Sequence, residues 1–70
     1  MRFRLTFYRT HAANKYETED RHEYLGDKES IWYLWHLLTE QGFKHVEVFD
    51  LRGVKQHPEL GYKGLVDYSL

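Results

Sequence analysis

The most informative feature of the sequence is what it lacks. None of the 70 residues is cysteine, which excludes disulfide bonds, thiolate zinc sites and a cysteine nucleophile. There is one proline, and no apolar run approaches the roughly 18 residues of a membrane span. Arg2 and Arg4 interrupt the first apolar stretch, so the pattern of a signal peptide is missing. We therefore expect a soluble, cytoplasmic protein that forms one small domain over residues 1–70.

An excess of charge of either sign is also missing. Eleven acids and ten bases give a net charge of −1, which disfavours a strongly basic nucleic-acid binder. The distribution is uneven, because residues 1–16 hold four bases and no acid, whereas residues 17–29 hold six acids and two bases. Two interpretations stay open: cross-strand ion pairs within a hairpin, or an acidic patch that mimics phosphates in the basic groove of another protein. The acids of that patch are Glu17, Glu19, Asp20 and Glu23.

Aromatic side chains are abundant. Six tyrosines, four phenylalanines and two tryptophans make up 17% of the chain. A domain of this size buries only about 60% of its unfolded surface, and each aromatic ring can bury on the order of 150–250 Å². We expect most of these rings to lie in the core, where they take the place of disulfides, and a minority to form a surface that binds a partner.

The strand predictions follow from alternation of apolar and polar residues. Residues 1–9 alternate with Phe3, Leu5 and Phe7 on one face, which predicts a strand with one buried face. Residues 15–25 fit either an edge strand paired with the first strand or an acidic loop. The other predicted segments are a connection over residues 10–14, a strand over 43–51, a loop over 54–61 and a last strand over 62–68 with Gly64 as a bulge.

A helix is predicted from Lys28 to Gln41. Asp27 fits the N-cap, with Ser30 as the competing candidate, and Gly42 fits the left-handed terminator. The helical spacing selects a core stripe of Ile31, Leu34, Trp35 and Leu38. One amphipathic helix on a small, mostly antiparallel sheet is an α+β fold, here in the order strand-strand-helix-strand-strand.

The helix carries more apolar side chains than one core face needs. Trp32, Tyr33 and Leu37 lie outside the stripe, and a helix that is apolar nearly all round is either covered on both sides or docks a partner. Homodimerisation or binding of another protein through this side is one interpretation, because interfaces are enriched in aromatic residues. Coverage by the loops at residues 10–16 and 52–61 is the other.

Residues that support catalysis or metal binding are scarce. Neither Ser30 nor Ser69 lies in a nucleophile-elbow motif, and there is no phosphate-binding or dinucleotide-binding glycine loop. The segment from Gly61 to Gly64 matches the GxxG pattern of phosphate-clamping loops, but it precedes a predicted strand and is interpreted as a turn. Five histidines are present, and none is paired at the zinc-helix spacing of four residues. We predict no catalytic residue, no metal and no cofactor.

These features favour a small non-enzymatic protein that acts by stoichiometric protein–protein contact, as an inhibitor or adaptor. In size, lack of cysteine, aromatic density and charge segregation the chain is similar to small accessory proteins of bacteriophages and mobile elements, many of which bind and inhibit a host protein. The predicted contact residues are Glu17, Glu19, Asp20, Glu23, Trp32, Tyr33 and Leu37. The alternative is a module that binds RNA or single-stranded DNA through the basic aromatic face of the first strand. Its contact residues would be Arg2, Arg4, Tyr8 and Lys15.

Overall fold

A computed structural model describes the backbone of residues 2–13 and 16–66 and the side chains of residues 2–9 and 19–66. The elements in chain order are β1 (Arg2–Ala13), β2 (Tyr16–Asp27), α1 (Lys28–Glu40) and β3 (Glu47–Asp50), followed by 3₁₀ turns at Pro58–Leu60 and Tyr62–Gly64. The three strands form one antiparallel sheet in the order β2-β1-β3. The structure therefore has α+β character, as predicted, with a strand order that matches the prediction only in part.

The first two strands form a much longer hairpin than the sequence predicts. All twelve residues of β1 pair with β2, from Arg2 opposite Asp27 to Ala13 opposite Tyr16. The prediction of a connection over residues 10–14 is therefore wrong for residues 10–13, and residue 14 lies outside the described residues. The weak strand propensity of Thr-His-Ala-Ala is overridden by cross-strand pairing, which the sequence of one strand alone does not reveal. Residues 16–25, left open between strand and loop, belong to β2.

The core lies between one face of the sheet and α1. Phe3, Leu5 and Phe7 of β1 are buried, as their alternation predicts, and Val48 of β3 lies opposite Leu5 on the same face. The helix contributes Ile31 and Leu38, and Leu65 closes the cluster from the C-terminal segment. The other two residues of the predicted stripe, with three further apolar residues, pack partly buried around it: Leu34, Trp35, Trp32, Phe43 and Val46.

Both ends of α1 follow from local chemistry. The Ser30 N–H donates to Asp27 Oδ1 at 2.9 Å, so Asp27 is the N-cap, and this bond lowers the pKa of its carboxyl. At the other end the helix stops at Glu40, one residue before the predicted last helical residue, and Gln41 is the C-cap. Gly42 follows with a φ of 86°, the left-handed conformation that glycine adopts without steric cost.

Strand β3 is shorter than the predicted strand over residues 43–51. It covers Glu47–Asp50 and pairs with β1 only from Phe3 to Thr6. The physical reason is His45, whose φ of 57° takes the chain out of the extended conformation just before the strand. The preceding residues therefore diverge from β1 instead of continuing the ladder.

The predicted last strand over residues 62–68 does not form in its described part. Residues 62–64 make a 3₁₀ turn, Gly64 belongs to that turn rather than to a bulge, and residues 67–68 lie outside the described residues. Pro58 and Gly61, with a φ of 101°, favour turns here. A buried side chain holds the segment in place instead: Gln56 Oε1 accepts from the Val66 N–H at 2.6 Å, and Gln56 Nε2 donates to the Val54 carbonyl at 3.1 Å.

Candidate interaction surfaces

The outer face of the sheet, opposite the helix, mixes apolar and charged side chains. Directly opposed residues on antiparallel strands share a face, which places Arg4 in one row with Leu25 and Phe49. Leu25 is 57% exposed. Arg4 Nε lies 3.2 Å from Glu23 Oε1, so the structure brings together one pair from the predicted basic and acidic segments.

The predicted acidic patch is divided between the two faces of the sheet. Glu19 and Glu23 alternate onto the outer face, whereas Asp20 lies opposite Arg9 on the other face. Glu17 is in β2, opposite Ala12. Asp20 therefore lies on the face opposite Glu19 and Glu23, because side chains of consecutive strand residues point to opposite sides.

The predicted nucleic-acid residues do not form an isolated basic face. Arg4 is in an ion pair, and Arg2 lies opposite Asp27, where its charge helps to lower the pKa of the Asp27 carboxyl. Tyr8 is 36% exposed, with its ring edge-on to the His45 ring at 6.1 Å. Lys15 lies outside the described residues. The acids beside Arg2 and Arg4 offset part of the positive potential on which phosphate binding depends.

The surplus apolar side of α1 is partly covered by the C-terminal segment. The Tyr62 ring lies edge-on to Trp32 at 6.1 Å, and Lys28 Nζ lies 4.2 Å from the centre of the Tyr62 ring. Trp32 is consequently half-buried. Tyr33 remains 66% exposed, one turn from the half-buried Leu37. Of the three predicted helix residues, Tyr33 is therefore the exposed one, and Trp32 and Leu37 are both half-buried.

The feature that sequence reasoning missed is a projecting hairpin. Beyond Phe7, six cross-strand pairs continue, from Tyr8 opposite Arg21 to Ala13 opposite Tyr16; we call this part of the hairpin the arm. At about 3.3 Å per residue, six pairs extend about 20 Å, which agrees with the elongated dimensions of 47 × 22 × 15 Å. Strand β3 ends its pairing at Thr6, so among the described residues the arm has two strands and two open edges.

The hydrogen bonds made by β3 show which backbone groups of β1 point toward the side where β3 pairs, and so which groups face the open edge of β1 beyond the end of β3. The Asp50 N–H donates to the Val54 carbonyl at 3.0 Å, and the Val48 carbonyl accepts from the Gln56 N–H at 2.7 Å. Both groups point away from β1. Because backbone groups alternate sides along a strand, those of Glu47 and Phe49 point toward β1.

The same alternation continues along β1. Thr6 and Arg4 lie opposite Glu47 and Phe49, so their backbone groups point toward β3. Two residues further on, Tyr8, Thr10 and Ala12 direct their N–H and C=O groups to the same side, where β3 is no longer present. This unpaired stretch, residues 8–13, is called the β1 edge below. An unpaired strand edge is a template for another strand.

A groove of about 470 Å³ lies beside the start of the β1 edge. It exists because the chain diverges from β1 at the left-handed residue His45. Its residues come from β1, β2 and the segment after the helix: Tyr8, Arg9, Glu19, Gln41, Gly42, Phe43, Lys44 and His45. A second, smaller groove of about 300 Å³ lies between α1 and residues 55–59.

The part of the chain that the structure describes contains no group of three or more histidine or acidic side chains placed to hold a metal ion. Its one helix is neither long nor apolar enough to cross a membrane. Comparison with protein-family models, with curated proteins and with solved structures gave no match to this chain.

Proposed function

We propose that the chain is a small, non-enzymatic cytoplasmic protein that binds another protein stoichiometrically, as an inhibitor or adaptor, and that the arm is its main contact element. The observation that carries the proposal is the arm itself, whose six residue pairs continue past the last residue that β3 pairs. Among the described residues, such an element presents backbone hydrogen-bonding groups along two open edges.

The energetics of hairpins support a binding role. A two-stranded hairpin is at best marginally stable in water unless a third strand or a helix covers it. The core side chains of β1 end at Phe7 among the residues with described side chains, and the side chains of Tyr8 and Arg9, with which the arm begins, are exposed. A partner strand or surface would supply the missing third layer, as in recognition by β-strand addition.

The test compares the full chain with a shortened variant. Replacing residues 10–19 by Asn-Gly removes four pairs of the arm and keeps Arg9 opposite Asp20. The backbone groups of that pair face each other, which is the geometry that a two-residue hairpin turn closes. Equal unfolding midpoints of the two proteins would show that the body is intact, because residues 3–7 are untouched.

Both proteins would be tagged and used to capture partners from a lysate of the producing cells, with and without nuclease. We expect one protein, recovered in a one-to-one ratio with the full chain, to persist after nuclease treatment and to be lost with the shortened variant. Equal capture by both variants would contradict the role of the arm. A captured protein that is lost after nuclease treatment would instead support the alternative, in which the chain binds nucleic acid.

A further inference from the structure

The two open edges of the arm differ in how they are protected. Along β2, residues 17–23 hold five charged residues, and charged residues on an edge strand hinder pairing with another strand. Along the β1 edge, Arg9 is the only arginine, lysine, aspartate or glutamate, and it is followed by Thr-His-Ala-Ala. The β1 edge is therefore the one that can accept a further strand.

The groove beside the β1 edge is lined by two basic side chains and one acidic side chain, and Asp20, which does not line it, lies opposite Arg9 on the same face of the sheet. Arg9 and Lys44 both line it, and neither takes part in an ion pair with another described residue. Glu19 is the single acid among the described lining residues, and His45 lies beside them. The rings of Tyr8 and Phe43 provide apolar walls.

We propose that the β1 edge binds an extended acidic segment of a partner protein, which adds as an antiparallel strand where β3 would have continued. This inference rests on the proposed function and names its partner class. The added strand exchanges backbone hydrogen bonds with Tyr8, Thr10 and Ala12. An acidic side chain opposite Arg9 lies on the face that Arg9 occupies, at the short cross-strand distance of about 4.5–5.5 Å between Cβ atoms.

A second copy of the chain fits this site less well. A symmetric pair of β1 edges, antiparallel about Thr10, would set Arg9 of each copy opposite His11 of the other and would add no negative charge to the groove. Pairing of one copy's β1 edge with another copy's β2 edge is head-to-tail, which gives open filaments rather than a closed complex. Self-association is therefore an outcome that the test must detect.

The test begins with selection of binders from a random ten-residue peptide library on the immobilised full chain. We expect the enriched peptides to contain aspartate and glutamate in clear excess over the starting library. The best of them is then synthesised, and its dissociation constant is measured against variants of the full chain. Enrichment of no peptide, or of peptides without acidic excess, would overturn the inference.

Charge-reversal variants should change the affinity for the acidic peptide in opposite directions, depending on whether a basic or an acidic side chain is replaced. Arg9→Glu and Lys44→Glu should each weaken peptide binding about tenfold, because each replaces an attraction by a repulsion. Glu19→Lys should strengthen it severalfold. If Glu19 instead belonged to an acidic recognition patch, Glu19→Lys would weaken binding, which would contradict the inference. All three side chains are exposed, so folding is not at risk.

A proline pair tests the backbone contact. Thr10→Pro removes an N–H that points to the β1 edge, whereas Arg21→Pro removes an N–H that points to the outer side of β2, so neither breaks a bond between the two strands. Thr10→Pro should weaken peptide binding at least tenfold and Arg21→Pro less than twofold. Equal effects would overturn strand addition at the β1 edge.

Sedimentation of the free chain completes the design. A monomer is expected, and a dimer that Thr10→Pro dissociates would identify a second copy as the occupant and overturn the inference. The capture experiment fails or succeeds independently. A partner protein captured through the arm, with no acidic peptide selected, would leave the proposed function standing and remove only this inference.

Discussion

The carboxylate of Asp50 organises the end of β3, and its removal is the sharpest test of the fold. Asp50 is 1% exposed. Its Oδ1 accepts from the Arg52 N–H at 2.9 Å and from the Val54 N–H at 2.8 Å, and its backbone N–H donates to the Val54 carbonyl. These bonds close the turn that returns the chain beside β3, where Lys55 bridges Phe49.

The expected loss of unfolding free energy in Asp50→Ala follows from the loss of the two hydrogen bonds to Oδ1. An N–H left without an acceptor costs at most about 1–3 kcal/mol, and Asp50→Ala leaves two such part-buried groups, those of Arg52 and Val54. The second oxygen, Oδ2, is buried and has no hydrogen-bond partner among the described residues, so loss of the charge returns part of that cost. We expect a net loss of about 2–4 kcal/mol, a large share of the roughly 4–10 kcal/mol typical of a chain this long.

Asp50→Asn is the matched control, because the amide oxygen can still accept both bonds. Its cost should be less than half that of Asp50→Ala. Urea unfolding followed by the fluorescence of Trp32 and Trp35 measures both variants, with equal m-values required. A change of less than about 0.5 kcal/mol for Asp50→Ala, or equal costs for the two variants, would refute the assigned role of the Oδ1 bonds.

Three further predictions concern the helix and the C-terminal segment. The bond from Ser30 lowers the pKa of Asp27, so the stabilising contribution of the Asp27 carboxylate is full at neutral pH and is lost as the pH falls below 3.8, the ordinary value for aspartate. The difference in unfolding midpoint between the wild type and Asp27→Ala should therefore shrink in acid. A difference that stays constant with pH would contradict this cause. Gly64→Ala should lower the free energy of unfolding by about 1–3 kcal/mol, because the added Cβ collides with the backbone carbonyl of His57. An unchanged unfolding midpoint would show that the backbone near His57 can shift without cost. Tyr33→Ala should change the unfolding free energy by less than about 0.5 kcal/mol, whereas Leu38→Ala should cost about 2–5 kcal/mol; similar costs would mean that Tyr33 is not a surface residue.

The sequence predicts elements whose signal is local. The helix and its cap depend on Asp27, the apolar spacing and Gly42, which lie within one segment, and the structure confirms them. The buried face of β1 follows from alternation over Phe3, Leu5 and Phe7. These patterns are reliable because each residue's environment depends mainly on its near neighbours in the chain.

The elements that the sequence did not predict depend on contacts between distant segments. Residues 10–13 join β1 because a second strand pairs with them, and β3 ends early because His45 takes a positive φ that no pattern of apolar residues signals. The acids of β2 were predicted as one patch, but the pleat divides them between two faces. Asn14, a residue type favoured in tight hairpin turns, lies between two alternating segments and is the sequence signal that could have indicated the long hairpin.

Both functional proposals depend on the open β1 edge, and amide hydrogen exchange of the free chain tests it most directly. We predict alternation: the amides of Tyr8, Thr10 and Ala12 exchange fast, whereas those of Arg9 and His11, which face β2, exchange at least tenfold more slowly. Equal protection of all five amides would mean that the β1 edge is already occupied. Uniformly fast exchange would mean that the arm is not paired, and either result would contradict an open β1 edge on a paired hairpin.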